Sequence, residues 1–232
     1  GDGLIARLQE LRPHIEAACA GAPAIDLARV SLHSPVANPS KVIAVRGNYR
    51  EGAADVAPAI PELFLKAVSS VAGPAAGIKL DLPGRRVEHE VELVVVVGRR
   101  VERTADAALP DVVAGYCVGI DVTMRGPEDR GLRKSLDGFT VIGPWLTTAD
   151  EIADPGGLAL ELAINEEVRQ RGDTSRLLQG VPALLAAAAS YFTLQPGDLL
   201  MTGTPPGVGP LASGDTVRCS IDRLGTMRVA VK

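Results

Sequence analysis

Residues 87–98 read VEHEVELVVVVG, and no other stretch narrows the fold so far. Four consecutive valines need burial, and β-branched side chains favour an extended backbone over a helix. In a strand, successive side chains face opposite ways, so Glu90, Glu92, Val94 and Val96 share one face while His89, Val91, Leu93 and Val95 share the other. Beyond Glu92 both faces are apolar, and the strand is expected to be covered on both sides. An acid pair on a half-solvated strand is ordinary surface chemistry. A pair carried to the mouth of a two-sided core needs a counter-charge. A third acid, Asp121, closes another apolar run, YCVGIDV. Three carboxylates with no His or Cys cluster beside them form a hard-oxygen donor set, suited to Mg²⁺ or Mn²⁺ rather than zinc.

From Val30 onward the chain is a series of short β-branched runs separated by Gly, Pro and Asp: KVIAV, VEHEVELVVVVG, YCVGIDV, LALELAIN, DLLMTGT, DTVRCSI and TMRVAVK. This texture predicts a mostly β protein of the α+β class. One internal helix interrupts it, GVPALLAAAASYF, whose Val181, Leu184, Leu185, Ala188 and Phe192 line one face before the LQPGD turn. The N-terminal piece places Leu4, Ile5, Leu8, Leu11, Ile15 and Ala18 at helical spacing, which predicts an amphipathic packing helix bent or shortened at Pro13. Without βα alternation a doubly wound sheet is not expected, and GTPPGVG lacks the context of a phosphate loop.

Composition narrows the partners. A net charge of −4 with no block of like charges predicts neither nucleic acid nor an anionic membrane as partner. No apolar segment approaches spanning length. Cys19, Cys117 and Cys219 are far apart with no CxxC, and the start lacks the regions of a secretory signal, so a reducing cytoplasm is the expected compartment.

Four motifs in order, HEVEL, GIDVT, RKSLDGFTVIGPWL and GDLLMTGTPPGVGP, supported by NYRE, LFLK and NEEVRQRGDT, resemble the fumarylacetoacetate hydrolase family. The resemblance covers residues 41–232 as a catalytic domain, with 1–40 as an N-terminal helical and strand segment. It implies a mixed β-roll with peripheral helices, usually a homodimer. Carried over residue by residue, it makes Glu90, Glu92 and Asp121 the ligands of Mg²⁺ or Mn²⁺. A metal of this kind chelates a 2-oxo acid and stabilises the enolate left when a neighbouring C–C bond breaks. Lys134 matches the family's active-site lysine, Arg125 an arginine facing substrate, and Lys66 a lysine near the pocket. Tyr49 and the Thr204 loop are expected to contact substrate.

One stretch departs from the pattern. Hydrolytic members read N-Y-x-x-H-x-x-E, a His–Glu dyad that activates water beneath a lid. Here NYREGAAD puts Gly52 at the histidine position and Asp55 at the glutamate position, and the segment up to LFLK is shorter than usual. Asp55 is the expected substitute acid or base. His14, His33 and His89 are read as structural or surface residues. The expected activity is metal-dependent C–C cleavage, by hydrolysis or decarboxylation, in a 2-oxo or acylpyruvate-type acid. The alternatives are an isomerase of a 2-hydroxydienoate and a catalytically weak 2-oxo-acid binding protein.

Overall fold

The computed structural model describes residues 1–52, 55–105, 109 and 111–232. Helices α1 (Gly3–Ala6) and α2 (Leu8–Ala20) open the chain. Strands β1 (Val42–Val45), β2 (Leu63–Lys66), β3 (Val71–Ala72), β4 (Val87–His89) and β5 (Val91–Val97) follow. Next come β6 (Val113–Asp121), β7 (Thr123–Met124), helix α3 (Arg130–Arg133), β8 (Thr140–Thr148), β9 (Ala159–Ile164) and β10 (Glu167–Asp173). Helix α4 (Val181–Tyr191) precedes β11 (Leu199–Met201), β12 (Gly209–Pro210), β13 (Thr216–Ile221) and β14 (Gly225–Ala230). Among the described residues no helix is long and apolar enough to cross a membrane.

A seven-stranded sheet, ordered β2-β1-β11-β5-β6-β8-β3, is mixed: β1–β11 and β3–β8 pair parallel and the other neighbours antiparallel. A four-stranded sheet (β10-β9-β13-β14) contributes to the larger core, and a small β12-β4-β7 sheet sits beside the acid residues. The alternation expected of β5 holds. Val91, Leu93, Val95 and Val97 enter the larger core, while Val94 and Val96 join a second cluster with Ile5, Val36 and Cys117 on the other face. Burial on both faces is why the run contains no polar residue after Glu92. Gly119 of β6 lies against this strand; a Cβ there would stand 2.4 Å from Val94 Cγ2, so the close approach requires glycine.

Helix α4 buries Val181, Leu184, Leu185 and Ala188 of the face expected from its spacing, and Ala189 beside it, while Phe192, the fifth residue expected, caps the helix and is partly buried. The N-terminal helix departs from expectation. Pro13 is accommodated inside α2, yet α2 buries no residue, Ile15 is 43% exposed and only Ile5 of α1 reaches a core. The start of the chain is held instead by Asp2, whose carboxylate accepts the N–H groups of Leu4, Ile5, Ala37 and Asn38.

Candidate metal and substrate site

Glu90 occupies the break between β4 and β5, Glu92 lies one step into β5, and Asp121 ends β6. The Asp121 N–H donates to the Glu90 carbonyl at 2.8 Å and closes the two strands on each other. One carboxylate oxygen from each of the three acids then falls within 4.8 Å of the others. Glu92 and Asp121 are buried, and the Glu90 side chain keeps 12% of its surface exposed, facing the cavity.

Two lysines balance the acids. Lys134, at the C-terminal cap of α3, donates to Glu90 Oε2 (2.8 Å), Asp121 Oδ2 (2.7 Å) and Thr123 Oγ1 (2.6 Å). Those bonds use every N–H of the ammonium. Lys66, at the end of β2 and fully buried, donates to Asp121 Oδ1 (2.5 Å) and the Phe139 carbonyl (2.9 Å). Burial works against the Lys134 charge, but Asp121 and Glu90 outweigh it and hold the group above its usual value. At Lys66 burial wins and pulls the ammonium below its usual value. Burial, with the charges of Asp121 and Glu90, pushes Glu92 well above the usual carboxylate range. Crowding three carboxylates together works against ionising all of them, a cost that a hard divalent cation relieves; the oxygen donor set fits such an ion.

The GTPPGVG loop closes the site from the side. Gly203, at φ 99°, donates its N–H to Glu92 Oε2 at 2.7 Å. Gly207, at φ 101°, has no room for a side chain, since a Cβ would meet the Arg169 carbonyl at 2.1 Å. Thr204 sits on the cavity as expected, but its hydroxyl is committed: it donates to the Val91 carbonyl (2.8 Å) and accepts from Gln170 Nε2 (2.8 Å). Gln170 is a residue sequence reasoning passed over. It is fully buried, binds His89 Nδ1 (3.0 Å) and the Val91 N–H (3.1 Å) through Oε1, and donates through Nε2 to Thr204 and the Pro205 carbonyl (2.8 Å). The one available signal was an uncharged amide between two arginines of NEEVRQRGDT. His89 is buried and turned to Gln170.

A cavity of about 590 Å³ brings Glu90, Glu92, Lys134, Arg125 and Thr204 together. Arg125 donates to Glu88 Oε2 at 2.5 Å and stands 3.8 Å from Glu90 Oε1. Tyr49 is buried and does not line the cavity, and its hydroxyl has no partner among the described residues; burial, then the Glu92 and Asp173 charges, push its phenol up. Asp55 is not on the cavity. Its carboxylate accepts the N–H groups of Gly52 (2.7 Å) and Glu51 (2.6 Å), which hold it below the usual range, and Glu51 lines the cavity instead. Ala53 and Ala54 of the same stretch lie outside the described residues. A larger cavity of about 750 Å³ between α2 and α4 holds none of these groups.

The sequence profile described as Fumarylacetoacetate (FAA) hydrolase C-terminal matches residues 41–232. The chain belongs to this family. Maleylpyruvate hydrolase of Aquipseudomonas alcaligenes is 46% identical over 246 aligned residues, covering 100% of this chain and 86% of the relative. A crystal structure of maleylpyruvate hydrolase from Sphingobium sp., in complex with manganese(II) and pyruvate, is similar at TM-score 0.87 and 41% identity, covering 98% of this chain and 83% of that one. The 2-hydroxyhepta-2,4-diene-1,7-dioate isomerase from Mycobacterium marinum matches at TM-score 0.79 and 35% identity, over 91% of this chain and 81% of that one. Within the family this chain is an enzyme acting on carbon–carbon bonds.

Proposed function

We propose that the chain is a divalent-metal-dependent hydrolase of acylpyruvates of the maleylpyruvate type. Water adds to the acyl carbonyl, the bond from that carbon to the pyruvate methylene breaks, and the products are a carboxylic acid and pyruvate. The observation that carries the reading is the buried Glu90–Glu92–Asp121 cluster bridged by Lys134, in a chain matched over its whole length by a maleylpyruvate hydrolase. Glu90, Glu92 and Asp121 would hold Mg²⁺ or Mn²⁺, which supplies positive charge for the 2-oxo acid and for the enolate that departs.

The chain's own residues divide the remaining work. Lys134 keeps its proton and fixes the carboxylates of Glu90 and Asp121. Lys66 braces Asp121 from behind. Gln170 and Gly203 hold the Thr204 loop against β5, so that the cavity wall does not shift as substrate enters. Water activation falls to Glu51, which lines the cavity, while Asp55 positions the Glu51 turn.

The test follows the enol absorbance of an acylpyruvate with Mn²⁺ and with chelator. Metal-dependent turnover is expected, and Glu51→Gln should lower kcat by about a hundredfold to ten-thousandfold, the usual range for a general base. Oxaloacetate decarboxylation, which needs no activated water, should survive that substitution. Glycine at position 52 favours a second reading, isomerisation of a 2-hydroxydienoate. Brisk dienoate isomerisation with no acylpyruvate hydrolysis would replace the first reading by the second.

A further inference from the structure

Four arginines reach the wall of the 590 Å³ cavity: Arg46, Arg125, Arg130 and Arg133. Three are committed to carboxylates. Arg46 and Arg130 share Glu62, at 3.2 and 2.5 Å, and Arg125 holds Glu88. Arg133 differs. Its Nε donates to the Glu128 carbonyl at 2.8 Å and its Nη1 to the Met124 carbonyl at 3.3 Å, both neutral acceptors. Among the described residues it has no carboxylate at ion-pair distance. A guanidinium carries five N–H donors and does not lose its proton, so two fixed bonds leave three donors for a ligand, and the Glu128 carboxylate, itself held by Arg85, takes only part of the charge.

The placement of Arg133 gives that charge a direction. It is the last residue of α3 and is followed directly by Lys134, whose ammonium sits on Glu90 and Asp121. One short helix and its cap therefore present three cationic groups to the same cavity: Arg130 is tied to Glu62, Lys134 to the acid cluster, and Arg133 to neither. Its two carbonyl bonds tie the guanidinium to the 124–128 segment, which lowers the entropy lost on meeting an anion. Planar bidentate recognition of a carboxylate is what this group does best.

We propose that Arg133 binds the carboxylate at the far end of the substrate, the end away from the 2-oxo acid, and so selects acylpyruvates charged at both ends. This rests on the acylpyruvate hydrolase reading and adds the residue that sets its substrate class. The competing role is a fastener for the 124–133 segment. That role would weaken all substrates equally.

The experiment compares the Mn²⁺-loaded wild type with Arg133→Met and Arg133→Lys on a dicarboxylic acylpyruvate (maleylpyruvate) and a monocarboxylic one (acetopyruvate). The ratio of the two kcat/KM values is the readout, since common structural damage cancels in it. The ratio should fall at least about thirtyfold in Arg133→Met, mainly through KM of the dicarboxylate, the size expected when one partner of a close charge pair is truncated. Arg133→Lys should fall between. An unchanged ratio overturns the proposal, whatever the absolute loss. A binding arm separates this failure from failure of the hydrolase reading: calorimetry of maleate with wild type and Arg133→Met. If the wild type hydrolyses neither acylpyruvate, maleate binding that Arg133→Met abolishes still supports the subsite, and binding that it leaves intact overturns it.

Discussion

Glu92 and Asp121 are neighbours in one cluster, yet their loss should have opposite consequences for the metal-free protein. Glu92 faces two like charges in a buried setting, with its own carboxyl driven toward the neutral form. Glu92→Gln keeps an oxygen for the Gly203 N–H and removes the repulsion. With chelator present its thermal stability should equal or exceed that of the wild type, while Mn²⁺ binding in calorimetry disappears. Asp121 is the acceptor for both Lys66 and Lys134. Asp121→Asn strands a buried ammonium and should cost about 3–5 kcal/mol in denaturant unfolding. Equal destabilisation by both changes would contradict this division of charge. Among the described residues the nearest atom to a Cβ added at Gly52 is Asp55 Oδ1 at 4.0 Å, so these leave room for a side chain. Gly52→His should raise acylpyruvate hydrolysis by up to about a hundredfold, the lower end for general-base catalysis, with oxaloacetate decarboxylation nearly unchanged.

Two helices of similar apolar spacing have unequal roles. Leu184→Ala in α4 opens a cavity in the core and should cost about 2–5 kcal/mol. Ile15→Ser in α2 should change stability by less than about 0.5 kcal/mol, because α2 buries nothing. A loss at Ile15 comparable to that at Leu184 would mean that α2 packs against another surface in solution. Asp2 caps α1 and ties residues 37 and 38 to it, and its four backbone N–H donors outweigh burial to lower its pKa. For a carboxyl so lowered, the stabilisation is complete above its unfolded value, near 4, and is lost as pH falls through the folded value. Asp2→Ala should therefore cost about 0.5–2 kcal/mol at pH 7 and progressively less below about pH 4, read from melting curves across that range.

At the scale of the molecule, the acid cluster joins elements far apart in sequence: β2 supplies Lys66, the break before β5 Glu90, β5 Glu92, β6 Asp121, the cap of α3 Lys134, and the loop after β11 Gly203. A cation bound there braces several strands at once. Saturating Mn²⁺ at a hundred times its dissociation constant should add about 2.7 kcal/mol to the unfolding free energy, seen as a melting temperature that climbs with metal concentration. A melting temperature indifferent to Mn²⁺ and to chelator would remove the metal from the site.

The strands were legible where one chemical pattern repeats: β5 and β6 are buried on both faces, and continuous β-branched runs leave an extended backbone few alternatives. The acid cluster was legible too, because carboxylates bordering such runs demand compensation wherever the chain goes. β10, with its EVRQRGD sequence, was missed as a strand, since its identity comes from pairing with β9 rather than from its own side chains. The exposure of α2 could not be read from periodicity, which shows that a helix has an apolar face but not whether anything covers it. Tertiary structure alone decided that Lys66 and Lys134 converge on Asp121 from opposite sides, that Gln170 joins His89 to the Thr204 loop, and that Arg133 lines the cavity with no carboxylate at ion-pair distance among the described residues. Charge pairing and hydrogen bonding act over a few ångströms in space. Lys66 and Asp121 are 55 positions apart along the chain and His89 and Gln170 are 81 apart, and their spacing in sequence carries no record of that distance.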